Sequence, residues 1–330
     1  MKRAIKLFVS LAVSAVFLWL AFRHVDIDAV WILMQQVNIP LILVYTLMLV
    51  GIQFCRGLRW GILIRPFATL PWRSVFKVSN IGILLTHFLP LRLGEFSRPI
   101  LMKKEAGSPM SATLGAVVVE RVIDGLVVTF FFFVTTMSHP ELPAGLSAAA
   151  YIAFAIFAGA MLCVLAAWLA HDGAIRILTA IFSPFSKKLA ERLTGMLDAF
   201  VMGVRSLPNV RSLVAMVGWT AAYWLLNGFG YYCVIQSFGW DLPFAAGFTL
   251  VSVLVIAIMI PAGPGFLGTF QGGLLAGFAI YGVGVNEATA FGIIVYPLTT
   301  LACLAFGLPY FFISNQRLSE LVAVSPEAAA

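Results

Sequence analysis

The stretch Thr86–Ile100, THFLPLRLGEFSRPI, lies between two apolar runs yet carries two prolines, a glycine and the charges of Arg92, Glu95 and Arg98. Pro90 and Gly94 are residues that stop a helix and let it restart. The stretch therefore predicts an interruption inside an otherwise apolar segment running from Val75 to Met102. What surrounds it decides the solvent. The chain has 330 residues, of which 61% are hydrophobic and 11% charged. No water-soluble fold can hide that much apolar surface, and repeated apolar runs of about 20 residues match the hydrocarbon thickness of a bilayer. The composition predicts an all-α, multi-pass integral membrane protein.

Apolar length and flanking breakers place full membrane helices near 5–22, 40–58, 112–137, 147–170, 212–236 and 288–313. The first follows Lys2, Arg3 and Lys6 but is long, ends in aromatics and has no small-residue cleavage site, so it reads as a retained helix rather than a signal peptide. A second interrupted region runs from Phe244 to Val283, broken by PAGPGFLG, Pro261–Gly268. The excess of Lys and Arg in short loops orients the chain: Lys2, Arg3 and Lys6 inside, Asp26 and Asp28 outside, then Arg59, Arg65, Arg73 and Lys77 inside. Lys103 and Lys104 also belong inside, so segment 75–102 should enter and leave on one face as a re-entrant hairpin. The loop 171–211 is basic and cytoplasmic, with an amphipathic surface helix around Leu189–Leu197, and the second interrupted region then starts and ends outside. Paired interrupted segments in corresponding halves, 1–170 and 171–330, point to one membrane domain built from inverted repeats. Two unrelated kinked helices, or two full crossings within 244–283, are the competing readings. Both termini are expected in the cytoplasm.

A second charged stretch, GAVVVERVIDGLVV, Gly115–Val128, places Glu120, Arg121 and Asp124 inside an apolar helix, with Glu120 and Asp124 one turn apart. With Arg92, Glu95 and Arg98 they make six ionisable groups whose charges cancel. Six unpaired charges at the bilayer centre would cost on the order of 15–20 kcal/mol, as much as the roughly 5–15 kcal/mol that holds a typical fold together. They must pair, face water or lie near the interface. Either they are structural ion pairs near the cytoplasmic face, or they line a polar cavity in which arginine forks bind a phosphate and carboxylates hold an amine or balance the empty site. Arg56 and Arg59 in CRGLRW are either positive-inside anchors beside Trp60 or guides for an anionic headgroup. In IPAGPGFLGTFQGG, Ile260–Gly273, a helix restarting after Pro264 would aim free N–H groups and a positive dipole end at the same space, near Gly263, Gly265 and Gln271. A packing kink is the alternative. His87 and Asn227 read as interhelical hydrogen-bonding groups.

Other classes find no support. The net charge of +7 gathers in loops rather than on a basic, aromatic-rich face, which excludes a nucleic-acid reading. Cys55, Cys163, Cys233 and Cys303 lie far apart in apolar segments, and no metal, nucleotide or hydrolase motif occurs. No metal, cofactor or ATP drive within this chain is expected.

CRGLRW, FLPLRLGEFSRPI, VVVERVIDGL and IPAGPGFLGTFQ follow one another with the spacing of a known family. The chain resembles the lysylphosphatidylglycerol synthase transmembrane region family, also called flippase-like domain proteins, from about Lys6 to Ser314. The resemblance implies an inner-membrane domain of bacteria that moves or handles lipids, with Arg92, Gly94, Glu95, Arg98, Glu120, Arg121 and Asp124 at the family's charged positions. Where the family often ends its last motif in glutamate, this chain has Gln271, which argues against a titratable group there. No soluble aminoacyl-transfer domain accompanies it, so synthase activity is not expected. The function expected is a lipid flippase or scramblase-like transporter whose substrate is a phospholipid or another anionic lipid. The alternatives are a membrane enzyme on a lipid or polyprenyl phosphate, or an accessory subunit of an envelope-biosynthesis complex; a homo-oligomer is compatible with each.

Overall fold

The punctuation in the sequence becomes helix ends. A computed structural model describes residues 25–138, 144–169, 210–260 and 263–314, with isolated positions elsewhere. Helix α1, Ile27–Gln35, begins where the Asp26 carboxylate accepts from the backbone N–H groups of Asp28 and Ala29 at 3.0 and 3.2 Å. The acidic stretch expected as an outer loop is therefore helical from Ile27 to Gln35. Helix α2, Ile39–Ile64, opens with Pro40 in its first turn and runs 26 residues, about 39 Å at 1.5 Å per residue and so longer than a ~30 Å hydrocarbon core. Helix α3, Trp72–Phe88, stops at Leu89, whose extended backbone leads into Pro90. A 3-10 segment, Pro90–Phe96, then restarts the chain into α4, Ser97–Ala106, which Gly107 closes in the left-handed conformation.

Helices α5, Met110–Ser138, α6, Ala144–Leu169, and α7, Val210–Ser237, follow. The second interruption lies between α8, Ala245–Ile258, and α9, Thr269–Ala279, with a short 3-10 turn at Pro264–Phe266. Gly265, Phe266 and Gly268 all take positive φ there. Helix α10, Val285–Ile313, accommodates Pro297 and Pro309. Among the described residues, helices stand at five of the places expected from apolar length, with ends shifted by a few residues because a helix can continue past the charge at which hydrophobicity stops. Helix α2, for example, carries Arg56 and Arg59 well inside it. The helix expected at 5–22 and the amphipathic one around 189–197 lie outside the described residues.

Both interrupted segments fold back as antiparallel hairpins. In the first, Lys77 Nζ meets Glu105 Oε1 at 2.5 Å, the side chain of Arg98 lies over Gly82, and Gly94 sits against the backbone of Leu85 and Thr86. A methyl group at position 94 would overlap that backbone, so the tight reversal requires glycine there. In the second, Gly273 packs on Leu254 and Ala257, and Gly277 on Leu250 and Val253.

The packing is reciprocal. Helices α2 and α7 pair along their length, with Tyr45 and Tyr231 edge to face at 6.2 Å. The first arm of each hairpin packs on a long helix from the other end of the chain: α3 on α10, where Gly307 meets Leu84, and α8 on α5, where the hydroxyls of Thr135 and Thr249 lie 2.7 Å apart. The second arms pack on the helices that follow them, α4 on α5 and α9 on α10. Among the described residues there are two larger apolar cores, one around Trp60, Val78, Leu101 and Met102, the other around Tyr231, Leu250, Phe278 and Phe291, and a small third cluster joins Phe132, Ala150 and Val253. Large apolar side chains cover the outside as well: Leu47, Phe130, Val214, Leu225 and Phe312, the last 71% exposed, face outward. Apolar outside with charges inside is the pattern of a protein solvated by lipid.

Candidate functional site

The charged residues of α5 face inward because they share one side of the helix, Glu120 and Asp124 being one turn apart with Arg121 beside them. Glu120 Oε2 accepts from Arg98 Nη1 at 2.8 Å, and its other oxygen accepts from Arg121 Nη2. Arg121 also approaches Asp124 Oδ2 at 3.5 Å. Asp124 Oδ1 in turn accepts from Arg59 Nη2 at 2.6 Å and from the Trp224 indole at 3.1 Å. Arg98, Glu120, Arg121, Asp124 and Arg59 thus form one chain of alternating charge linking α4, α5 and α2. Four of its members are buried, Arg59 to 1% exposure, whereas the Arg121 side chain is 39% exposed. Each buried charge has an opposite partner at contact distance, the condition under which ions persist in a low-dielectric interior.

Aromatic faces hold the guanidinium groups in place. Arg98 lies 5.0 Å from the ring centre of Trp60, and Arg56 and Arg59 lie at 5.3 and 5.1 Å from that of Tyr223. Arg56 Nη2 also donates to Tyr223 Oη at 2.9 Å. Gly82 lacks the side chain that would collide with Arg98. Glycine at 82 is therefore part of how α3 accommodates the arginine.

These groups line a cavity of ≈ 200 Å³ between the two hairpins. Its roof is where the hairpin tips touch. The His87 and Phe266 rings stand 5.5 Å apart, and the Arg92 guanidinium lies 5.6 Å over Phe266. Arg92 takes a left-handed backbone, φ 55°, and pairs loosely with Glu95 at 3.6 Å. The volume falls below the several hundred Å³ of a drug-sized pocket, enough for a headgroup and too little for acyl chains.

Of the positions singled out in the sequence, Arg56, Arg59, Arg92, Glu95, Arg98, Glu120, Arg121 and Asp124 all border this cavity. For Arg56 and Arg59 the surface-anchor reading fails: Arg59 is buried in an ion pair and Arg56 faces the cavity. Gly263, Gly265 and Gln271 are not among the lining residues. The Gly265 carbonyl accepts from Tyr296 Oη at 2.9 Å, and Gln271 Oε1 accepts from the N–H of Gly268 at 2.7 Å. Gln271 thus caps α9 and borders a separate small cavity with Leu274, Thr289 and Tyr296. Its oxygen satisfies an N–H that would otherwise be free for a ligand. His87 shares a hydrogen bond with Thr300 Oγ1 at 3.1 Å, the interhelical role expected of it, while Asn227 donates to the Tyr223 carbonyl of its own helix at 2.7 Å. Sequence reasoning missed Tyr223 and Trp224. Their only signal was the run of hydrogen-bonding side chains Tyr223, Trp224 and Asn227 along one apolar helix.

Long helices with apolar outer faces around a buried charged cavity define a helical membrane protein. The chain belongs to the lysylphosphatidylglycerol synthase TM region family, whose model matches residues 7–307, a membrane domain of lipid-handling proteins. Two proteins of Methanothermobacter thermautotrophicus, each described as a UPF0104 membrane protein, are similar to it. One is 27% identical over 251 residues, 71% of each chain, and the other 24% identical over 293 residues, 81% of this chain and 86% of the relative. No solved structure matches the chain.

Proposed function

We propose that the protein moves a phospholipid or another anionic lipid across the cytoplasmic membrane, with the headgroup passing through the central cavity while the acyl chains stay in the bilayer. The observation that carries this reading is the alternating ion-pair chain, buried between α2, α4 and α5 beside the touching tips of two hairpins. Charges cost too much inside a membrane to serve as ordinary packing. Their position between two reversals of the chain suits a route that opens to one face at a time.

In this reading the two hairpins are re-entrant and the two halves, 1–170 and 171–330, are inverted repeats of one domain. The reciprocal packing of α2 with α7, and of each hairpin on the other half's long helix, supports it. Both termini face the cytoplasm. A phosphate entering the cavity meets Arg121, whose side chain is 39% exposed, and replaces the loose contact to Asp124 with a two-pronged one. Glu120 and Asp124 keep Arg98 and Arg59 paired while the site is empty. Passage then requires the tips at His87 and Phe266 to part. In this reading the protein acts as a transporter, with the ion pairs and aromatic faces of the cavity holding the headgroup.

The test is translocation of a fluorescent phospholipid in proteoliposomes. Wild-type protein accelerates flipping over protein-free vesicles, and Arg98→Ala, which breaks the ion-pair chain at its first link, lowers that rate at least about tenfold, the effect of roughly 1.4 kcal/mol on the barrier. An unchanged rate in a folded Arg98→Ala protein would remove the site from the mechanism.

A further inference from the structure

From the balance of charge around the cavity we infer that its occupant carries a doubly charged phosphoryl group, a phosphomonoester or a diphosphate, rather than the singly charged phosphodiester of common phospholipids. The inference rests on the reading of this cavity as the place where a headgroup is held. In the sequence, the two charged stretches cancel. The structure adds Arg56 and Arg59 from α2 to the same wall, so five guanidinium groups face the carboxylates of Glu95, Glu120 and Asp124. Two positive charges remain in excess. His87 borders the same space, and a protonated imidazole would only enlarge the excess.

The surplus has a location. Arg59 and Arg98 are consumed in short buried bonds to Asp124 and Glu120. Among the described residues no carboxylate pairs with Arg56; its contacts are the hydroxyl and ring of Tyr223 and the thiol of Cys303, all neutral. Arg92 has Glu95 alone, at 3.6 Å, and its Nε finds no hydrogen-bond acceptor, nor does Nε of the fully buried Arg59. Buried guanidinium N–H groups without acceptors are costly unless a ligand supplies oxygens. The hairpin breaks do not alter the balance, because each tip brings one helix C-terminus and one N-terminus of opposite partial charge. Arg56, Arg92 and Arg121 rise from three different elements around a space sized for one headgroup. A tetrahedral phosphoryl group with three terminal oxygens and close to two negative charges at neutral pH matches that surround. A phosphodiester offers two such oxygens and one charge, and leaves one guanidinium uncompensated.

Titration calorimetry of the purified full chain in detergent at neutral pH, with dioctanoyl phosphatidic acid and dioctanoyl phosphatidylglycerol as probes, decides the point. The phosphomonoester lipid should bind at least about tenfold more tightly, as one additional charge interaction in a low-dielectric site warrants. Arg56→Gln should bring the two affinities to within about twofold, by removing a surplus charge, and Glu95→Gln should widen the gap, by adding one. Because the variants push in opposite directions, a folding defect in one cannot imitate the pattern. Equal binding of the two lipids, or a ratio that neither variant moves, overturns the charge assignment while leaving transport through the cavity intact. Binding of neither lipid by a wild-type protein of native elution volume overturns both readings. Inorganic phosphate and pyrophosphate form the third arm. If either binds as tightly as the lipid, the doubly charged group is upheld but comes from a soluble anion, and the lipid reading falls.

Discussion

Asp124 holds three partners at once: Arg59 and Trp224 on one oxygen and Arg121 on the other. Removing it would strand the buried Arg59, and loss of one member of a buried pair typically costs about 3–5 kcal/mol. Glu95 differs in kind, since its side chain is 29% exposed and its contact to Arg92 spans 3.6 Å; a loose pair of this sort is worth about 0–1 kcal/mol. Asp124→Ala should therefore lower the apparent unfolding midpoint in detergent strongly, and Glu95→Ala barely. Comparable midpoints for the two variants would show that the ion-pair chain contributes nothing to stability. The sequence revealed that these charges had to be compensated, because the cost of an unpaired ion depends on the solvent alone. It could not reveal the partners. Arg59 and Asp124 stand 65 positions apart, and only the packing of α2 on α5 brings them together.

The elements themselves were largely legible, since proline, glycine and apolar length act locally. The break after Phe88 follows from Pro90, and the break after Ile258 from the Pro/Gly run that ends at Gly268. What stayed hidden depends on neighbours. Helix α1 is short and capped by a single aspartate, whose charge is equally compatible with a loop. Gln271 looked like a cavity group and is instead a cap, a choice set by the φ of Gly268 rather than by composition. The hairpins carry a topological prediction: cysteines introduced just after Met102 and just before Asn286 should be labelled by impermeant reagents from opposite faces of the membrane. Labelling of both from one face would refute the inverted arrangement of the two halves.

For the molecule as a whole, the two larger cores each surround one hairpin, and the charged cavity lies at the seam between them. In the proposed mechanism each hairpin shifts with its own core while the ion-pair chain keeps the seam satisfied. That mechanism requires the tips at His87 and Phe266, whose rings stand 5.5 Å apart, to separate. The decisive measurement joins those tips. With the four native cysteines replaced, His87→Cys and Phe266→Cys allow a reversible cross-link, and lipid translocation is followed in proteoliposomes before oxidation, after oxidation and after reduction. Transport through the cavity predicts that the cross-linked protein falls to the rate of protein-free vesicles and that reduction restores it. A fully cross-linked protein that flips lipid at the uncross-linked rate would contradict it.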